Sequence, residues 1–420
     1  MRKRSFHSIK SKISNNTKVI ENYFFMTALQ VINSLFGILI YPYLIRVLGA
    51  ESYGLYVFAL SVTSYFIGFI SFGFSFPALK AIVENKENQA AKNDIVSSVF
   101  SAKSYLALIS SVIFAVLLFS IPIMRENWII FSVCFTQIIA EILFPVWYFQ
   151  GVQKMRIVTY IQLLFRVLSL PFIFLLIKAP ADCWIYVIIV STSIISGGII
   201  STIYLIKYEN IKFRLISINS LKIYFKDALP FFWSSATGTI KQESVTIIIG
   251  AFFGMRDVAL YDLANKIIVL PRILTTSING ALFPKIITDV KNTVVKKIIR
   301  YETLIGLGVI AAVALFGHWV ILILGGSGML DSYPLAIILS VTVLVWLVVG
   351  SYISFIFVPR NRYYYVTLNQ FVAFGTFFLF CVPGVLIFHS ITIVVVSLTL
   401  SGLCEIAFCN YMIKKHNLLH

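Results

Sequence analysis

Two long apolar segments between residues 228 and 284 carry ionisable side chains at positions where a membrane span usually carries none. These side chains belong to Lys241, Glu243, Asp262, Lys266 and Arg272. Charge at bilayer depth costs several kcal/mol, so it is usually kept where it faces a wet cavity or an opposite charge. The residue types therefore predict recognition of an ionic group inside the membrane, and we assign no catalytic residue.

Helical spacing separates these charges over two consecutive helices. Lys241 and Glu243 project to nearly opposite sides of their helix, so they are not expected to pair with each other. Glu243 lies at the depth of Lys266 in the next helix, which predicts a contact between them. Lys241 and Arg272 are then left as mid-depth cations, and they predict an anionic ligand. The alternative is that a distant carboxylate, such as Glu405, pairs with one of them.

A second pair of polar helix faces lies in the first half of the chain. Gln137 and Glu141 are one helical turn apart, as are Gln162 and Arg166 in the following helix. Glu141 and Arg166 have similar depths in helices that we expect to be antiparallel neighbours. We predict a structural ion pair between them, with the alternative that Arg166 adds positive charge to a ligand cavity.

The elements that must position these residues are membrane-spanning helices. The 420-residue chain is 59% hydrophobic and 12% charged, whereas soluble domains contain about 25% charged residues. Apolar runs of about 20 residues recur along the whole chain, with short polar breaks between them. We predict an all-α integral membrane protein with about twelve transmembrane helices, at 24–48, 55–76, 103–124, 128–149, 157–177, 183–206, 228–253, 258–286, 301–324, 333–358, 367–388 and 391–413.

The net charge of +17 is distributed as a membrane topology signal. Basic residues concentrate in the N-terminal tail and in alternate breaks between the spans, and the positive-inside rule places such segments in the cytoplasm. We predict that both termini are cytoplasmic and that the chain binds no nucleic acid. The 5 cysteines show no metal-binding spacing, so we expect neither a metal site nor a disulfide framework.

A weak internal repeat divides the chain into two halves. Gly254 stands 205 residues after Gly49, and the same offset aligns Leu260 with Leu55. Two copies in the same orientation predict two pseudo-symmetric six-helix bundles around a central cavity. The predicted order is a cytoplasmic N-terminal tail, the first bundle, a cytoplasmic linker, the second bundle and a cytoplasmic tail, at 1–22, 23–206, 207–227, 228–413 and 414–420.

The end of the first span and the turn after it carry a family signature. It consists of Pro42, Leu44, Arg46, Leu48-Gly49 and Tyr53-Gly54-Leu55-Tyr56. This pattern resembles the first hairpin of the Wzx-type O-antigen or polysaccharide flippases, which are related to multidrug exporters and to lipid II flippases. The resemblance implies a V-shaped pair of six-helix bundles with a cationic central cavity. It also implies that the protein moves an undecaprenyl-pyrophosphate-linked oligosaccharide from the cytoplasmic to the periplasmic leaflet of a bacterial inner membrane. We expect transport by alternating access, in which rocking of the two halves exposes the cavity first inward and then outward.

Roles for the buried charges follow from the resemblance, because a pyrophosphate has to be held while it passes the hydrocarbon. The predicted substrate-binding residues are Lys241, Lys266, Arg272 and Arg166. The predicted coupling residues, which could bind a proton or Na⁺ or serve only as counter-ions, are Glu243, Asp262 and Glu141. No other cofactor is expected. Besides the lipid-linked oligosaccharide and membrane lipids, the predicted partners are a polysaccharide polymerase and a chain-length regulator.

Alternative functions are a related exporter of cationic drugs, a membrane-embedded enzyme acting on the same lipid carrier, and a scaffold for polysaccharide assembly. A drug exporter is expected to have a net negative cavity, and the ionisable residues at mid-span include as many cations as anions. An enzyme of this kind normally needs a large loop outside the membrane, and the predicted outer breaks are short. A scaffold gives the buried charges little purpose.

Overall fold

The computed structural model describes residues 2–287 and 292–419, with side chains for residues 21–22, 24–269, 271–273 and 292–419. Every regular element in these ranges is a helix, which confirms the predicted all-α fold. The first basic residues of the N-terminal tail, on which part of the orientation prediction rests, lie outside the described side chains.

The first half of the chain contains helices of very unequal length. They are α1 (Arg2–Ser71), α2 (Ser75–Glu84), α3 (Gln89–Ser120), α4 (Pro122–Glu126), α5 (Trp128–Phe135), α6 (Gln137–Leu143), α7 (Val146–Gly151), α8 (Met155–Leu176) and α9 (Cys183–Tyr208). The first predicted span and most of the second lie in the single run of α1, and the end of the second reaches α2. Together, α5 to α7 cover most of the fourth. α3 begins 14 residues before the predicted third span, which starts at 103.

The second half of the chain consists of long helices. They are α10 (Lys222–Phe252), α11 (Met255–Ile287), α12 (Asn292–Gly325), α13 (Ser332–Tyr352), α14 (Tyr363–Phe388) and α15 (Ile391–Lys415). Within the described ranges, 9 helices are long and apolar enough to cross a membrane, and one of them, Phe24–Ser71, contains the first predicted span and most of the second. α10 and α11 carry the buried charges and are not among these nine.

The signature hairpin is a sharp bend inside α1. Gly49 has a φ of 75°, in the left-handed region that a side chain disfavours, so the chain can turn there and re-enter as helix. Gly54 lies so close to the carbonyl group of Met255 that a Cβ atom would overlap it. Gly250 is similarly close to the ring of Phe58. The glycines therefore allow the bend of α1 to pack directly against the turn between α10 and α11.

The helices group into two compact units. Unit 1 comprises Met1–Asn33, Thr63–Lys178 and Asp182–Ala236, and unit 2 comprises Ser34–Val62, Ala179–Ala181 and Thr237–His420. α1 and α10 each contribute residues to both units. The predicted division into bundles of residues 23–206 and 228–413 stays a prediction.

Each unit has an aromatic core. In unit 1 the rings of Phe114 and Phe135 stack with centroids 4.0 Å apart, and Phe66 meets both of them edge-on. In unit 2 a π-helical turn continues α13 at Ile353–Phe357 and buries Phe355 and Phe357 completely. These cores fix the helices that carry the charged side chains.

A polar ladder on α3 binds part of the predicted linker. Its residues recur every four positions: Gln89, Asn93, Ser97, Ser101 and Tyr105. The Ser97 hydroxyl accepts a hydrogen bond from the Arg214 amide (3.1 Å) and donates to the Lys212 carbonyl (3.3 Å). Ser101 repeats this pattern one turn later, accepting from the amide of Ile216 (3.0 Å). The turns of α3 that precede the predicted third span therefore hold the linker.

Candidate functional site

Lys241 of α10 is paired with a carboxylate from the last helix. Its Nζ lies 2.8 Å from Oε1 of Glu405, and both side chains are largely buried. Asn369 donates to the other oxygen of Glu405 (3.1 Å), and the Cys409 thiol donates to Asn369 Oδ1 (3.3 Å). The prediction that Lys241 lacks a partner is therefore wrong, and the alternative partner, Glu405, is correct. The predicted depth of Lys241 in the membrane did not identify its partner, because the two residues are 164 positions apart in the sequence and belong to different helices.

Asp262 and Lys266 form an ion pair one turn apart on α11. Lys266 Nζ lies 2.5 Å from Asp262 Oδ2, and the hydroxyl of Tyr53 donates to the same oxygen at 2.7 Å. The Lys266 ammonium group also lies 5.5 Å from the ring centroid of Tyr41 and 5.7 Å from that of Tyr53, within the range of cation–π attraction. This pair replaces the predicted contact between Lys266 and Glu243.

Glu243 lies on the other side of α10, as its spacing predicts. Its carboxylate accepts a hydrogen bond from the hydroxyl of Ser61, a buried residue of α1. Within the described part of the chain, Glu243 forms no ion pair with a lysine, arginine or histidine. It thus differs from Asp262, whose charge is balanced by a neighbouring lysine.

Arg272 stacks on an aromatic ring of α13. Its guanidinium carbon lies 3.4 Å from the ring centroid of Trp346. A guanidinium group stacked in this way keeps its N–H groups in its own plane, where they can bind a carboxylate or phosphate edge-on. Trp346 was not singled out in the sequence, because a tryptophan in an apolar span reads as ordinary packing.

The partly exposed carboxylate of Glu141 in unit 1 has a different partner from the one that the sequence predicts. Glu141 Oε1 lies 2.6 Å from Nζ of Lys103, which also donates to the Glu141 backbone carbonyl at 3.0 Å. Lys103 is 3% exposed. The predicted Glu141–Arg166 pair is thus corrected to Lys103–Glu141. Lys103 was missed because it is the first residue of a predicted span, where a lysine is expected to reach the membrane surface.

Arg166 lines a cavity in unit 1. The cavity has a volume of about 320 Å³ and is also lined by Gln137, Glu141 and Gln162, so the structure brings both predicted polar faces together. The amide of Gln137 donates to the Ser191 hydroxyl (3.1 Å), and Gln162 accepts from Asn33 (3.4 Å). The predicted site residues therefore fall into a charged network in unit 2 and a polar cavity in unit 1.

The arrangement in unit 2 can bind an anion without breaking its ion pairs. An ammonium group has three N–H donors, so a lysine that donates one hydrogen bond to a carboxylate can donate another to a phosphate oxygen. Asp262 and Glu405 hold Lys266 and Lys241 in place, and Tyr53 and Asn369 fix those two carboxylates. The pairing therefore orients the cations that the sequence assigned to ligand binding.

Two proteins from other bacteria are similar to this chain in sequence. A protein of Escherichia coli (strain K12) described as a candidate O-antigen transporter is 24% identical over 310 residues, covering 72% of this chain and 74% of that protein. A protein of Shigella dysenteriae with the same description is 27% identical over 260 residues, covering 60% of this chain and 64% of that protein. These relatives support the Wzx-type resemblance of the first hairpin.

The fold is that of a membrane transporter. The structure of the lipid II flippase MurJ in an inward closed conformation superimposes with a TM-score of 0.71, covering 94% of this chain and 87% of that chain at 14% identity. A family model described as polysaccharide biosynthesis protein matches residues 19–289, which include the signature hairpin, α10 and the charged part of α11. Because this match covers more than half of the chain, the protein belongs to the polysaccharide biosynthesis protein family.

Proposed function

We propose that the protein is a flippase that moves an undecaprenyl-pyrophosphate-linked oligosaccharide from the cytoplasmic to the periplasmic leaflet of a bacterial inner membrane. The observation that carries the proposal is the set of oriented cations inside the membrane, in a chain whose relatives are described as O-antigen transporters. The transport mode is alternating access, with both termini in the cytoplasm.

Pyrophosphate binding is the task that we assign to Lys241, Lys266 and Arg272. Charge-assisted hydrogen bonds are the strong ones, and an arginine can bind a phosphate with two parallel N–H groups. Their counter-ions, Glu405 and Asp262, balance the two lysines when no ligand is bound, which lowers the cost of holding these charges in the membrane. Arg166 belongs to the cavity of unit 1 and acts on another part of the substrate.

Coupling to a proton or Na⁺ is a task that we assign to Glu243. Asp262 and Glu141 are each held by a lysine and serve as counter-ions. Glu243 has a hydroxyl partner but no ion pair among the described residues, so it can change its charge by binding a proton or a sodium ion. We further propose that a polymerase and a chain-length regulator of the polysaccharide act on the delivered substrate.

The test determines which leaflet contains the lipid-linked repeat unit in cells that lack this protein. The downstream polymerase and ligase are inactivated in these cells, so that the repeat unit is not consumed. A membrane-impermeant probe specific for the sugar reports the leaflet. We expect the sugar to be trapped on the cytoplasmic side, and the intact chain to restore its exposure.

Arg272→Ala should fail to restore exposure, whereas Arg256→Ala should succeed. Arg256 is the matched control, because it forms an exposed ion pair with Asp331. Normal outward exposure without the protein would refute the flippase assignment, and full rescue by Arg272→Ala would refute the role of that residue.

A further inference from the structure

The cavity of unit 1 has the lining of a ligand pocket and not that of a packing defect. Three helices, α6, α8 and α9, contribute polar groups to it, from Gln137, Glu141, Gln162, Arg166 and Ser193. Cavities left by imperfect packing are apolar and dry, whereas ligand sites combine apolar walls with a few convergent polar groups. Its volume of about 320 Å³ lies at the lower end of the range for small-molecule sites.

Two of these polar groups have hydrogen-bonding capacity to spare. Among the described residues, the carbonyl oxygen of Gln137 and the amino group of Gln162 have no hydrogen-bond partner, although each amide makes one bond at its other end. Polar groups in a membrane protein are expected to be satisfied. A ligand with both hydrogen-bond donors and acceptors would donate to the carbonyl oxygen of Gln137 and accept from the amino group of Gln162.

The charges in the cavity favour a neutral ligand. Lys103 holds one oxygen of Glu141, and Glu141 and Arg166 both line the cavity. A carboxylate repels a phosphate but accepts hydrogen bonds from hydroxyl groups, and a guanidinium group donates to them. This combination suits a polyhydroxylated, uncharged molecule better than a pyrophosphate.

The apolar walls are also suited to a sugar ring. Phe144 and Phe165 line the cavity, and both rings lie against Gly197. A Cβ atom on Gly197 would meet the ring of Phe144 at 3.5 Å and that of Phe165 at 3.8 Å, which is ordinary contact. Alanine therefore fits at this position, whereas a longer side chain would occupy the space beside the rings.

We infer that this cavity binds a sugar ring of the oligosaccharide headgroup as a neutral polyhydroxyl ligand, and so selects among substrates. The inference rests on the proposed function for the identity of the cargo. This proposal assigns a sugar to the cavity of unit 1, whereas the proposed function assigns the pyrophosphate to the cations of unit 2. Sugar selectivity therefore belongs to the residues of unit 1.

The test measures binding of free monosaccharides to the full-length protein in detergent by saturation-transfer NMR. The probes are glucose, galactose, mannose and N-acetylglucosamine, with inorganic pyrophosphate as the anionic probe. We expect at least one sugar to bind the unchanged protein and Gly197→Ala equally. Binding should fall about tenfold or more in Gly197→Leu, which fills the cavity, and in Gln162→Leu, which removes an amide.

The outcomes separate the two proposals. Absence of sugar binding, or unchanged binding in both leucine variants, would overturn the pocket assignment, as would loss of pyrophosphate binding in Gly197→Leu. If Gly197→Leu does not fold, Gln162→Leu decides. Sugar binding that depends on the cavity, in a protein whose removal leaves the lipid normally exposed, would preserve the pocket and refute the flippase.

Discussion

At the scale of single residues, Tyr53 links the signature hairpin to the charged network. It belongs to the hairpin pattern, and it was not predicted to take part in the charged site. The structure places its hydroxyl 2.7 Å from Asp262, beside the Lys266 ammonium group. A hydrogen bond to a charged group contributes about 1.5–3 kcal/mol. The signature tyrosine therefore positions a carboxylate and, through it, a cation.

Replacing Tyr53 by phenylalanine tests this positioning role. Tyr53→Phe keeps the ring that faces Lys266 and removes only the donor to Asp262, so we expect a lower unfolding temperature in detergent and slower export. Tyr364→Phe is the control, because this tyrosine is 69% exposed. Equal unfolding temperatures and export rates for Tyr53→Phe and the unchanged protein would contradict the role.

Exchanging the charges of Lys241 and Glu405 tests whether Lys241 contributes to ligand binding as well as to stability. Removing one member of a buried ion pair typically costs about 3–5 kcal/mol, because the other charge is left uncompensated. Lys241→Glu and Glu405→Lys should each lower the unfolding temperature, and the double exchange should restore most of it.

The double exchange should nevertheless remain inactive in export, because the cation has moved from α10 to α15. The measurements are thermal unfolding and the leaflet assay on all three variants. Restored export in the double exchange would mean that Lys241 serves only to balance Glu405.

At the scale of elements, the spacing of the binding residues along α3 is close to the spacing of their partners along the linker. Four residues of an α-helix rise about 6.0 Å, and two residues of an extended chain span about 6.6 Å. The helix residues that bind recur every fourth position, and their partners in the linker include Lys212, Arg214 and Ile216, which are alternate residues. Each turn of α3 can therefore hold one further pair of linker residues.

Loosening this ladder should expose the linker to protease. The double variant Ser97→Ala, Ser101→Ala removes several hydrogen bonds, each worth about 1 kcal/mol, so trypsin should cleave faster after Lys212 or Arg214. Ser104→Ala is the matched control, since its hydroxyl donates to its own helix at the Phe100 carbonyl. Equal cleavage rates for the double variant and the control would show that the ladder does not hold the linker.

The elements also show which features the sequence could predict. Long apolar runs specify helices whatever their neighbours are, so the all-α fold and the faces of Lys241 and Glu243 were predictable. Partners were not, because the depth of a residue in the membrane does not say which helix lies beside it. Asp262 and Lys266 are one helical turn apart, so their pairing could have been predicted from sequence spacing alone. The pairs Lys103–Glu141 and Lys241–Glu405 join different helices, so predicting them requires knowledge of which helices are neighbours.

At the scale of the whole molecule, the charge of the cargo that we propose determines which energy source can drive transport. Moving one elementary charge across a potential of 100 mV is worth about 2.3 kcal/mol, so a pyrophosphate-linked lipid moving outward from a negative interior gains free energy. The membrane potential can thus drive the loaded step. An ion bound by Glu243 would be needed to return the empty carrier or to trigger the change of access.

Glu243→Gln separates these two contributions. The variant keeps a polar side chain beside Ser61 but cannot change its charge, so export should lose its dependence on the proton or Na⁺ gradient. Its dependence on the membrane potential should remain. The measurement is the leaflet assay in vesicles, with the potential and each ion gradient imposed separately. Glu126→Gln, which removes an exposed carboxylate, is the control for the loss of a negative charge. If the variant still responds to the same gradient as the unchanged protein, the coupling ion binds elsewhere, and Glu243 only supports the packing of α10 against α1.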